Sequence, residues 1–113
     1  MTRGEVGAVA LAKPGATLIT LWDRLDVYKV ARKVFASCGV AEGLSFKTTE
    51  IAFAVLTETG RGRRAPGFAW GRWVNVPIDG LAREEAVDWI ATSHRLVAAE
   101  LPRKARLELG LGA

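Results

Sequence analysis

The sequence predicts an α+β fold: one domain in which a largely antiparallel sheet carries helices packed on one face. Three observations carry that reading. Short β-branched or alternating segments follow one another closely through the first half of the chain. Two stretches, 50–59 and 82–98, instead place apolar residues at helical spacing. Strands that neighbour in sequence pair as hairpins, so the sheet is antiparallel rather than doubly wound.

Residues 4–12 are small and apolar and read as a first helix, which Pro14-Gly15 ends. Thr17 to Trp22 is β-branched and aromatic, hence a strand, and Asp23 to Asp26 supplies turn chemistry. Val27 to Val30 and Lys33 to Ala36 both alternate, and the two-residue link Ala31-Arg32 makes them a hairpin. Gly39 to Gly43 is loop, and Leu44 to Lys47 is a further short strand. Thr48 or Thr49 caps the next helix, with Glu50 in its first turn opposing the macrodipole. Its apolar face is Ile51, Ala52, Val55 and Leu56.

Gly60 to Gly67 is the one stretch of plain loop composition. Phe68 to Val76 is extended, with Trp73, Val74 and Val76 the strand, and Pro77 to Gly80 is a turn. From Ala82 to Ala98 a stripe of Val87, Ile90, Ala91, His94, Val97 and Ala98 runs on to Leu101, the strongest helical signal in the chain. Pro102 opens a last short helix, Arg103 to Leu109. No internal repeat interrupts this order.

Composition narrows the chemistry. With 113 residues the chain is one domain long. One cysteine, Cys38, excludes an internal disulfide and a Cys-rich zinc site, and one histidine, His94, leaves no His-based metal site. No charged-then-apolar leader opens the chain and no apolar run reaches membrane-spanning length, so a cytoplasmic protein is expected. The carboxylates Asp79, Glu84, Glu85 and Asp88 crowd a helix start, where the macrodipole explains them better than a metal does. No nucleophile, base and orienting group come together in the sequence. The expectation is a protein without enzymatic activity, metal or cofactor.

A net charge of +4 permits a nucleic-acid partner without requiring one. Arg61, Arg63 and Arg64, with Arg72 close behind, are the densest cationic group and can each contact a phosphate. Lys29, Arg32 and Lys33 surround the proposed hairpin, where they serve either a phosphate backbone or protection of a strand edge. Trp22, Trp70 and Trp73 are the aromatic candidates for stacking on an unpaired base or anchoring a partner. His94 lies on an apolar stripe and reads as a core residue with one hydrogen-bond partner.

A set of segments in order carries a family resemblance. They are Leu11-Ala12-Lys13-Pro14-Gly15-Ala16, then Val27 to Ala36 ending in Lys33-Val34-Phe35-Ala36, then Leu44-Ser45-Phe46-Lys47. Arg72-Trp73-Val74-Asn75-Val76, Ser93-His94-Arg95-Leu96-Val97 and Leu101-Pro102-Arg103-Lys104 complete it. The chain resembles the YjbR (MmcQ-type) family of small bacterial proteins over about residues 11–106. The resemblance implies a CyaY-like α+β fold and a DNA-binding role. His94 stands where the family usually has tyrosine, and Gly71-Arg72 where it often has lysine. Iron binding of the frataxin kind is not expected, because the first helix offers only Glu5.

The function expected from all of this is binding of DNA through its phosphate backbone, mostly independent of sequence. The alternative is a module for a protein or small ligand, using an exposed surface of tryptophan and arginine.

Overall fold

The computed structural model describes residues 1–67 and 71–111. Helix α1 (Arg3–Leu11) starts from Thr2, whose hydroxyl accepts from the Glu5 amide while the Glu5 carboxylate accepts from the Thr2 amide. Strands β1 (Ala16–Leu21), β2 (Leu25–Val30), β3 (Lys33–Gly39) and β4 (Gly43–Lys47) follow as a meander. Thr49 caps α2 (Glu50–Glu58) through the Ala52 amide. Then come β5 (Arg63–Arg64), β6 (Trp73–Val76), α3 (Arg83–Ala98) and α4 (Arg103–Glu108). Strand order is β1-β2-β3-β4-β6-β5, and every pairing is antiparallel. The expected α+β architecture is the observed one.

Register assigns each side chain to a face. Tyr28, Ala36, Phe46 and Val74 lie opposite one another across β2, β3, β4 and β6. This row faces the helices: the Phe46 ring stacks on Trp89 of α3 at 5.1 Å, and Gly7 of α1 lies against the Tyr28 hydroxyl. A side chain at Gly7 would meet that hydroxyl at 2.8 Å, so the close approach requires glycine. A bulge inserts Phe35 opposite the Tyr28–Lys29 step, and its buried ring packs edge-on against His94 at 5.1 Å. Ser93 joins the layers: its hydroxyl donates to the Phe35 carbonyl at 2.6 Å and accepts from the Lys47 amide at 2.8 Å.

Four local expectations need correction. Trp22 is not strand: with Asp23 it turns the chain between β1 and β2 at φ of 52° and 55°. The stretch 60–67 is not all loop, since Arg63 and Arg64 pair with Asn75 and Val74. On α2, Ile51 (79% exposed) and Val55 (53%) face solvent, because among the described residues that helix packs mainly on β5 and β6 and buries Leu56 alone. On α3, Val87 is exposed and the buried face is Ala86, Ile90, Ser93, His94, Val97 and Ala98. Phe68 and Trp70 lie outside the described residues.

Among the described residues no helix is long and apolar enough to cross a membrane.

Candidate functional site

The sheet face opposite the helices carries a second row, one residue from each strand. Ile19, Val27, Ser37, Ser45, Asn75 and Arg63 lie successively opposite one another across all six strands. Its chemistry is graded: apolar on β1 and β2, small and polar through β3, β4 and β6, cationic on β5. Five strand spacings make the row about 24 Å long.

A trough follows this row. Its apolar end, about 400 Å³, is lined by Ile19, Leu21, Leu25, Val27 and Lys29 with Val34, Ser37 and Pro66. A middle section of about 280 Å³ shares Leu25, Ser37 and Pro66 and adds Trp22, Arg24 and Arg63 beside Ser45 and Asn75. Asn75 spends both amide hydrogens inside the chain, on the Glu42 carbonyl at 2.8 Å and the Ser45 hydroxyl at 3.0 Å. The side chain is buried, its amide oxygen beside Gly43.

Trp22 stands over the trough with 74% of its surface exposed and the Arg24 guanidinium 5.7 Å from its ring centre. Its left-handed backbone is costly for a bulky residue, about 1–2 kcal/mol, and glycine would serve the turn better. The turn is braced from beneath. Arg3 forks onto the Asp26 carboxylate at 2.7 and 2.8 Å and also donates to the Asp23 carbonyl. Thr20 donates to Asp26 as well. The Arg3 hydrogen bond, aided by Thr20, holds the Asp26 carboxyl below the usual carboxylate range against the opposing effect of burial.

Of the cations expected to act together, Arg61 and Arg63 line one hollow of about 340 Å³ beside Glu42 and Asn75, while the others point apart. Arg63 and Lys29 line the trough. Arg61 forks onto Glu85 at 2.6 and 2.8 Å and lies 5.5 Å from the Trp89 ring centre, so it braces α3. Arg64 turns to the helix side, over the Phe53 ring at 5.0 Å, and donates to the Gly71 carbonyl. Arg72 is exposed, and its carbonyl accepts from the Thr48 amide. Arg32 is exposed at the β2–β3 tip, and Lys33 reaches 3.9 Å from Glu100.

Trp73, expected as part of an exposed surface, is 8% exposed. Sequence reasoning missed Arg24, Ser37, Ser45 and Asn75. Only register across distant strands brings these together.

His94 is buried, its Nε2 2.8 Å from the Pro14 carbonyl, as expected of a core histidine. Burial pushes the Cys38 thiol up to about 11, so the reactive thiolate is disfavoured. Among the described residues no three His, Cys, Asp or Glu side chains are grouped to hold a metal ion.

The YjbR family model matches residues 11–96, three quarters of the chain. The chain belongs to the YjbR family. The match takes in β1 through β6 and most of α3, so all six strands of the graded row fall within the YjbR region. No curated protein matches the chain.

Proposed function

We propose that this YjbR protein is a non-enzymatic binding protein that takes single-stranded nucleic acid across the helix-free face of its sheet. The observation that carries the reading is Trp22, exposed and backbone-strained at the head of a trough with Arg63 farther along it. Strain held at an exposed aromatic points to a use for its ring.

The graded row fits the parts of a nucleotide in turn. An unpaired base stacks on Trp22 and the apolar end, gaining about 1–3 kcal/mol. Ser37, Ser45 and Asn75, all buried, form the polar floor beneath the nucleotide. Lys29 and Arg63 meet phosphates, while Arg24 is held by the Glu42 carboxylate at 3.2 Å. A duplex presents its bases stacked inward and cannot use Trp22 this way, which separates this reading from binding to the duplex backbone.

Anisotropy titration with labelled single-stranded and duplex DNA of equal length tests the proposal. Tighter binding of the single strand is expected, with affinity falling as salt rises by about −0.7 in log–log slope per phosphate contacted. Equal binding of both forms would return the reading to the duplex backbone.

A second reading rests on the apolar end of the trough, where Ile19, Leu21, Leu25 and Val27 suit a protein or small apolar ligand. Absence of binding to either nucleic acid at low salt favours it.

A further inference from the structure

We propose that the hollow at the α3–α4 junction binds a small organic carboxylate, held by the guanidinium groups of Arg95 and Arg106. The hollow is about 410 Å³ and is lined by His94, Arg95, Ala98, Ala99, Arg106 and Leu111. Half of that lining is histidine or arginine, half is apolar, and no carboxylate is among it. It lies on the helix side of the sheet, away from the trough, so it stands independently of what the trough binds.

Arg106 decides the chemistry. Its Nη1 donates to the Ala99 and Leu101 carbonyls, at 3.2 and 3.0 Å, which ties α4 to the end of α3. Its Nε is buried and has no acceptor. A buried N–H on a charged group without an acceptor is costly, and it calls for a partner that the chain does not itself supply. Nε shares one edge of the planar guanidinium with Nη2, which likewise has no acceptor among the described residues. A carboxylate meets such an edge with two parallel bonds. Nε is shut off from water, so the second of those bonds forms as the side chain closes on a seated ligand.

The surroundings favour an anion with an apolar body. Arg95 is exposed, and its guanidinium has no ion-pair partner among the described residues. The carbonyls ending α3 would repel an anion, as the negative end of a helix does, but they are already engaged. Arg106 takes those of Ala99 and Leu101, and the Glu100 and Leu101 amides take those of Val97 and Ala98. His94 donates through Nε2 to the Pro14 carbonyl at 2.8 Å and brings no negative group. Ala98, Ala99 and Leu111 supply an apolar wall that an organic acid covers and a bare phosphate leaves unused.

A nitrogen-15 NMR titration of the full chain, following the arginine Nε–H resonances at fixed ionic strength, tests the proposal. The probes are benzoate, its neutral isostere benzamide, and inorganic phosphate. Benzoate should move the Arg106 Nε–H resonance downfield and saturably, benzamide should not, and phosphate should bind more weakly. Arg106→Lys keeps the charge but loses the planar fork, and should weaken benzoate binding roughly tenfold or more. Because Arg106 also joins α4 to α3, Arg95→Ala at its exposed position gives a second measure: several-fold weaker binding with the melting temperature unchanged. No saturable shift at tens of millimolar benzoate overturns the proposal, as does an equal response to benzamide. Phosphate binding as tight as benzoate overturns the carboxylate assignment, and unaltered affinity in Arg95→Ala overturns the part given to Arg95.

Discussion

Both terminal nitrogens of Arg61 are bonded to the carboxylate of Glu85, at 2.6 and 2.8 Å, so the first arginine of the basic segment belongs to the scaffold. The pair closes the start of α3 onto the loop before β5. Arg63, two residues on, instead lines the open trough. The two share a hollow beside Gly43 and Pro77, yet Arg61 is bound to a carboxylate and Arg63 has no ion pair among the described residues.

Arg61 and Arg63 can be told apart by binding. Arg63→Ala should flatten the salt dependence of single-strand binding by the equivalent of about one phosphate contact. Arg61→Ala should leave that slope unchanged and lower the melting temperature instead. Titrations at two salt concentrations, with thermal melts of the same samples, supply both readings. Equal flattening in the two variants would contradict the assignment.

Trp22 is expected to trade stability for function. Replacing it with glycine relieves the left-handed strain at little packing cost, and should stabilise the fold by about 1 kcal/mol. Denaturant unfolding measures the gain. A clear loss of stability would mean that the exposed indole supports the fold rather than a ligand.

Ser93 is a hidden keystone. Its hydroxyl serves β3 and β4 at once, so Ser93→Ala leaves the Lys47 amide without its partner. Such an orphaned buried group costs about 1–3 kcal/mol. Urea unfolding of the variant gives the value, and Ser93→Thr tests whether the hydroxyl alone suffices in so closed a site.

Acid should loosen the turn that carries Trp22. The Asp26 carboxyl is held below its ordinary range chiefly by Arg3, so its contribution to stability is complete above the unfolded carboxylate value. It is lost as pH falls below about 4, through the folded value. Melting temperature should therefore drop over that window in the wild type, and drop less in Asp26→Asn, which starts lower. A flat wild-type profile there would show that the Arg3–Asp26 fork does not hold the turn.

Much of the fold was legible in local pattern. Pro14-Gly15, the Thr49 cap and the α3 stripe marked element ends and faces through chemistry within a few residues. Ile51 and Val55 misled because apolar spacing reports which side of a helix is apolar, not whether anything lies beneath it. Trp22 misled because strand propensity favours tryptophan while the backbone there is left-handed, a conformation no propensity for tryptophan announces. The trough was the least legible part. Ser37, Ser45 and Asn75 are unremarkable singly, and they become a polar floor only when register aligns strands separated by up to 38 positions in sequence.

The central claim is that Trp22 stacks on an unpaired base, and its most direct test is Trp22→Ala in the single-strand titration. The account predicts a loss of about 1–3 kcal/mol, from several-fold to about a hundredfold in Kd, with the salt slope unchanged because no phosphate contact is removed. Unaltered affinity would contradict the claim and move nucleic-acid binding, if it persists, off the helix-free face.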